Sequence, residues 1–292
     1  MKPDIKCGLC LLEWVYERAI AENSNEDIPR LFRNIVHLLS REMADTANVG
    51  ALCNQAADLI YEFVPPESEF WEAIKRETND YVRKLLPQAA AYANQARTPR
   101  GKFQRACSLA ATGNVSPMGA PAGGKAFSFP EALAIMTGEG PLPVFIGDAF
   151  KAATQSNHVF YVTDNAGEIG FDTLLVAQLK GMGKDVTVVV KEPAYFEDAT
   201  LADAEFFNLN RTADRIVTVK KVFVPGNGKS AANRAFRKSD LVISKGTGNY
   251  EALRGETQGK SALFLLKIKC AAIARDMKIS EGKFVVKLDV RS

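Results

Sequence analysis

Apolar positions in the first hundred residues recur at helical spacing. Leu9, Leu12, Val15, Tyr16 and Ala19 would share one helix face, and Leu31, Ile35, Leu38 and Leu39 another. Asp58, Leu59, Tyr61, Glu62 and Phe63 continue this texture until Pro65 and Pro66 stop it. A further helix is predicted over 70–86. Almost no strand signal precedes Pro99. Gly, Pro, Ser and Ala then dominate 98–143, where Gly113, Pro117, Gly119, Pro121, Gly123 and Gly124 crowd together. Such a density of turn formers predicts loop, either lying over a site or linking two layers. After Val144 short β-branched and aromatic runs alternate with helical patterns. Strands are predicted over 159–163, 186–190, 215–219, 241–244, 262–268 and 284–288. Helices are predicted over 168–180, 199–209, 230–237 and 249–254. Continuously apolar strands separated by helices describe an α/β fold, a mostly parallel sheet covered on both faces. The expected organisation is a helical domain over 1–110, a Gly/Pro-rich loop over 111–143 that contributes to the site, and an α/β domain over 144–292.

Composition narrows the class without naming a chemistry. The chain has 292 residues, 47% hydrophobic and 24% charged, enough to bury a real core. Its 37 Lys and Arg stand against 34 Asp and Glu, a net charge of +3 that argues against a bulk nucleic-acid partner. No apolar run approaches the ~20 residues that span a bilayer, so no membrane partner is expected. The opening, Met1 to Lys6, lacks the apolar core of a secretory signal, and a cytoplasmic protein is the expectation. Five cysteines, an odd number, do not make a disulfide framework.

In open parallel sheets a ligand sits outside the carboxyl ends of the strands. Asp164, Asn165, Gly167 and Glu168 follow the first predicted strand. Lys191, then Glu197, Asp198 and Asp203, follow the second. Lys245, Gly246, Gly248, Asn249 and Glu251 follow the fourth. Asp and Asn are hard oxygen donors of the kind that bind Mg²⁺ or Mn²⁺. Lys245 adds positive charge before a glycine-rich turn whose amides and following helix could approach an anion. A cation facing a phosphate cradle is equipment for metal-assisted phosphoryl chemistry. Each piece has a plainer use: an acid after a strand is often a helix cap, as Asp198 would be alone, and Gly-x-Gly is often punctuation. The convergence of three strand ends is the signal.

These segments resemble the damage-control phosphatase family, once catalogued as a domain of unknown function and including acidic-residue methyltransferase-like proteins. Tyr161 to Asp172 looks like its "LDNAGE-hydrophobic-x-FD" signature, and Asp240 to Glu251 is similar to "DLVIxKGxGNxE". Phe264 to Cys270 resembles "LLKxKC", and Cys7-Gly-Leu-Cys10 the CxxC opening of the microbial branch. The resemblance implies a helical layer beside a Rossmann-like α/β domain, and divalent-metal-dependent hydrolysis of phosphate monoesters of small metabolites, such as sugar phosphates or damaged phosphometabolites. By motif position Asp164, Asn165 and Asp198 would ligate the metal, whether Mn²⁺, Mg²⁺, Co²⁺ or Ni²⁺. Lys245 would hold the substrate phosphate, with Gly246, Gly248 and Asn249 beside it, and Asn114 would help line the site. Two departures bear on the substrate: Glu197 stands where the family usually has Asn, and Pro117 where it has an acid.

The expected reaction uses water, oriented or deprotonated near Glu168 or on the metal, with Lys245 neutralising phosphate charge. Competing readings are S-adenosylmethionine-dependent carboxyl methylation, although no GxGxxG follows the first strand, and a non-enzymatic nucleotide- or metal-binding module. Cys7 and Cys10 could be half a metal site with Cys270 as a third thiolate, a redox pair, or packing. Cys53 and Cys107 read as core. His37 and His158, the only histidines, lack ligand spacing, and Trp14 and Trp71 read as core or layer contacts.

Overall fold

The computed structural model describes residues 1–22, 27–65, 68–114 and 129–290. Four helices come first: α1 (Ile5–Glu22), α2 (Ile28–Glu42), α3 (Val49–Tyr61) and α4 (Glu69–Asn94). Next are α5 (Pro99–Thr112) and α6 (Pro130–Thr137). The α/β part then runs β1 (Val144–Ile146), α7 (Ala149–Gln155), β2 (His158–Val162), α8 (Ile169–Gly181), β3 (Asp185–Lys191), α9 (Leu201–Phe206), α10 (Leu209–Thr212) and β4 (Arg215–Val219). It ends with α11 (Ala231–Lys238), β5 (Leu241–Lys245), α12 (Thr247–Leu253), β6 (Ser261–Lys267), α13 (Ala271–Met277) and β7 (Phe284–Asp289).

The described strands form one seven-stranded sheet in the order β1-β7-β6-β5-β2-β3-β4. Neighbours from β6 to β4 are parallel, while β7 runs antiparallel to β6 and carries β1 beside it. Successive side chains of a strand face opposite ways, and both faces are covered. Val159, Tyr161, Val188, Ile243 and Leu265 point into one core with α4, α5 and α8. Phe160, Val162, Val189, Val242 and Phe264 point into a second core with α11, α12 and α13. A third apolar cluster lies among α1 to α4, and the β3–α9 loop inserts Tyr195 and Phe196 into it.

Several expectations over the helical part change. The 98–143 stretch, expected as loop, holds α5 and α6, while 115–128, where Pro117, Gly119 and their neighbours fall, lies outside the described residues. The composition that reads as loop is what burial requires here: Ala106, Ala110, Ala111 and Gly113 let α5 lie close to α8, and a Cβ on Gly113 would stand 2.8 Å from Phe171. Helix α4 runs past 86 and through Pro87, so the missing amide bond is tolerated within a long, otherwise supported helix. On α1 the buried face is Leu11, Val15 and Ala19, whereas Leu9 and Tyr16 are exposed. The helix expected over 199–209 is two, separated where Asn208 turns to φ 57°. Strand β1, three residues long, carries too little pattern to be read in advance.

The helical layer also packs on the α/β part where α3 crosses α12. A Cβ on Gly50 would stand 2.5 Å from the Cβ of Ala252, so no side chain fits without parting the helices. Gly50→Leu is expected to cost about 1–3 kcal/mol of stability, read as a lower urea midpoint at unchanged m. An unchanged midpoint would contradict this contact.

Candidate active site

Strands β2 and β3 stay coupled beyond their ends. Thr163 donates its amide (3.2 Å) and its hydroxyl (2.7 Å) to Val189 O. The chain leaving β3 folds back, so that Ala199 N donates to Asp164 O (2.8 Å) and Ala166 N to Glu197 O (2.9 Å). Asn165 and Asp198 thereby form an isolated antiparallel bridge. The cap of α9 is Thr200 with Asp203, a reciprocal capping box. That corrects the simplest expectation for Asp198, which is left facing Asn165. From the other side of β2, strand β5 delivers Lys245 and then Gly246 at φ 79°. A Cβ on Gly246 would lie 1.8 Å from Asp164 Oδ2. Only glycine fits both that backbone and that contact.

A hydrogen-bonded network ties these tips together. Asn114, at the end of α5, donates its amide nitrogen to Asp164 Oδ2 (2.8 Å) and Glu168 Oε2 (3.1 Å). Its carbonyl oxygen accepts from Lys267 N (3.2 Å). Lys245 Nζ sits 2.8 Å from Asp172 Oδ1 and 3.1 Å from Glu168 Oε1, all three side chains being essentially inaccessible. Tyr161 donates its hydroxyl to the same Asp172 oxygen (2.8 Å). Asp198 Oδ2 is paired with buried Lys191 (3.0 Å). Arg18 of α1 is bonded to Glu197 and lies over the rings of Trp14 and Phe196. Asn249 donates to Thr163 O and Lys245 O, each at 2.8 Å, bracing β2 against β5.

Burial sets the charge states. It pushes Glu168 up to about 8 against the pull of Lys245, with Asp164 and Asp172 adding repulsion. Burial likewise pushes Asp198 up to about 7, opposed by Lys191 and reinforced by Asp164 and Glu197. For Lys245 burial works against the charge, but Asp172 and Glu168 overcome it and hold the ammonium above its ordinary value. The cation is permanent and the carboxylates around it are crowded.

A cavity of about 630 Å³ opens onto this rim. Asp164, Asn165 and Asp198 line it beside Thr247, Gly248 and Asn249, and Trp14, Arg18 and Phe196 also stand in its wall. Asp164 Oδ1, Asn165 Oδ1 and Asp198 Oδ1 accept no hydrogen bond from the described residues.

The model of the "Damage-control phosphatase ARMT1-like domain" matches residues 4–285. This chain belongs to that family. A damage-control phosphatase of Archaeoglobus fulgidus is 30% identical over 99% of both chains. One of Pyrococcus horikoshii is 28% identical over 98% of this chain and 97% of its own. The crystal structure of a DUF89-family protein from Pyrococcus horikoshii superposes with a TM-score of 0.78, at 24% identity, over 98% of this chain and 99% of that one. The mostly parallel sheet and helical layer are thus the fold of a damage-control phosphatase-like domain.

Within this family member the residues picked from sequence fall into two groups. Asp164, Asn165, Asp198, Gly248 and Asn249 meet on the cavity, while Asn114, Glu168 and Lys245 are buried beneath, holding one another. Cys107 is core, as expected, and Cys53 packs half-buried against two of the apolar clusters while also lining the cavity. Sequence reasoning assigned no role to Asp172, Tyr161, Lys191 or Arg18. Asp172 follows Glu168 by one helical turn, a spacing that could have flagged it. Lys191 ends β3 at the same rim. Arg18 carries no signal, because its partner lies 179 residues away.

A raised carboxyl makes a signed prediction. Glu168 ordinarily titrates near 4.5 and here near 8, so between those values the folded chain holds a proton that the unfolded chain has released. Its contribution is complete below 4.5 and lost as pH rises through 8. Denaturant titrations of chelator-treated protein should show stability falling across that window, with a shallower fall in Glu168→Gln. Identical slopes would contradict the assignment.

Proposed function

We propose that this chain is a divalent-metal-dependent phosphatase acting on phosphate monoesters of small metabolites. The observation that carries the reading is the trio of cavity-facing oxygens on Asp164, Asn165 and Asp198, uncommitted among the described residues. Two carboxylates and an amide oxygen suit a hard cation that keeps open positions for water and substrate. When bound, the metal supplies Lewis acidity and charge neutralisation at a phosphoryl oxygen.

The chain's own residues do the positioning. Asn114 fixes one oxygen of Asp164 and leaves the other for the cavity. Lys245, kept cationic by Asp172 and Glu168, sets a positive charge behind the rim where a phosphate would gather negative charge. Tyr161 holds Asp172, so the ammonium has one fixed seat. Gly246 makes room for Asp164, and Gly248, where an added Cβ would meet only Val222 at 3.9 Å, leaves the backbone bare for close approach of an anion. Glu168, buried beneath the cavity, hydrogen-bonds Asn114, Asn165 and Lys245 and acts by holding these three in place. The wall of Trp14, Arg18 and Phe196 encloses the organic part of a small substrate.

A panel of phosphate monoesters assayed after chelation, with Mn²⁺, Mg²⁺, Co²⁺ or Ni²⁺ restored, tests the reading. Phosphate release is expected only with metal. Asp164→Ala should lose at least about a hundredfold in rate at an unchanged far-UV spectrum. Full activity in that variant, or undiminished release in chelator, would overturn it.

Lys245→Met separates positioning from folding. It leaves Glu168 and Asp172 buried without their cation, and the expected stability loss is about 3–5 kcal/mol. Lys245→Met with Asp172→Asn should recover part of that stability but none of the activity. A double variant no more stable than the single one would contradict the pairing.

A further inference from the structure

The thiols on the cavity do not make a second site. Cys7 and Cys270 pack half-buried against the core that holds α11, α12 and α13. Among the described residues no three His, Cys, Asp or Glu side chains come together so as to hold a metal ion, so the expected three-thiolate site is not met.

What the rim chemistry leaves unused is a charge pair. Arg18 of α1 and Glu197 of the β3–α9 loop both line the cavity, with side chains only 6% and 5% exposed. One bond joins them, from Arg18 Nη2 to Glu197 Oε1 at 2.5 Å. A guanidinium and a carboxylate can share two parallel bonds. Here Arg18 Nε and Glu197 Oε2 are both buried and both lack a hydrogen-bond partner among the described residues. Such atoms are costly to leave unsatisfied, and one bonded pair carries a spare donor and a spare acceptor.

The pair is fixed in place. The guanidinium carbon lies 4.3 Å from the centre of the Trp14 ring, 5.1 Å from that of Phe196 and 5.8 Å from that of Trp71. Glu197 O accepts from Ala166 N, in the loop that carries Asp164 and Asn165. Asp198 is the next residue along. Arg18 and Glu197 therefore stand beside the oxygen donors, on the same cavity.

Their charges decide what they can receive. An unopposed arginine beside a phosphate site would collect a second anion. Glu197 cancels that attraction, because an anion brought to Arg18 also meets the Glu197 carboxylate, and buried charges are little screened. A hydroxyl can accept from Nε and donate to Oε2 at once. A second phosphate can only accept, which leaves Oε2 unpaired against like charge. The hydroxyl of Tyr195, buried on the same cavity and also unpartnered among the described residues, adds a further polar contact for a neutral group.

We propose that the Arg18–Glu197 pair sets the specificity of this site. It admits phosphate monoesters whose remainder is neutral and hydrogen-bonding, and it turns away those that carry a second anion. Neither residue takes part in the chemical step. The proposal rests on the hydrolytic reading above.

Glucose 1-phosphate and glucose 1,6-bisphosphate, which differ by one phosphate, test it with Mn²⁺ restored. Wild-type protein should favour the monophosphate in kcat/KM. Glu197→Gln removes the opposing charge, and the ratio should swing toward the bisphosphate by at least about tenfold, through KM rather than kcat. Any effect of the substitution on Asp198 is common to both esters and cancels in the ratio. Arg18→Met with Glu197→Gln makes the pair neutral again and should return the ratio to near its wild-type value. Quenching of tryptophan fluorescence, with Trp14 against Arg18, reads the same swing in Kd without turnover. The Kd swing without phosphate release from either ester would count against the hydrolytic reading and leave the role of the pair standing. Release with a ratio unmoved in Glu197→Gln would overturn the role of the pair. Wild-type protein that takes both esters equally, or binds neither, would overturn it without any variant.

Discussion

The continuation of β2–β3 pairing past the ends of the strands is the constraint on which the rest depends. Parallel strands usually part company at their carboxyl ends, and the loops that follow are free to diverge. Here the loop after β3 returns to hydrogen-bond the loop after β2, through Ala199 to Asp164 and Ala166 to Glu197. Asn165 and Asp198 are held face to face by backbone bonds rather than by their side chains. Gly246 then brings the end of β5 into van der Waals contact with Asp164. Crowded acids are positioned by main-chain geometry, and their mutual repulsion cannot push them apart without breaking the sheet rim.

Crowding has an electrostatic consequence. Lys245 answers Glu168 and Asp172, Lys191 answers Asp198, and Arg18 answers Glu197. These are buried pairs, whose attraction offsets desolvation with little to spare. Their value lies in fixing which atoms face the cavity. The pairing also accounts for Glu197 at a position where Asn is usual in the family. The additional negative charge beside Asp198 has its own cation, supplied by α1 and stacked between aromatic rings. The helical layer thus takes part in the electrostatics of the rim as well as enclosing it.

What was legible in the sequence follows the physics of each element. Strands β2, β3, β5 and β6 are buried on both faces, so their apolar runs are continuous and their ends sharp. The residues after those ends are polar because they face a cavity, and Asp164, Asn165 and Asp198 stand out for that reason. Helix α5 was hidden because small residues serve two purposes: they make loops, and they allow close helix packing. The face of α1 was misassigned because Leu9 and Tyr16, apolar at helical spacing, are exposed. Arg18 and Lys191 act through partners distant in sequence, and no local pattern encodes a long-range ion pair.

The account stands on a hard cation held between the loops after β2 and β3. Anomalous diffraction from crystals soaked in Mn²⁺ measures that position directly. The account predicts a peak about 2 Å from oxygens of Asp164, Asn165 and Asp198. A peak elsewhere on the cavity wall, with those three oxygens uncoordinated, would contradict it.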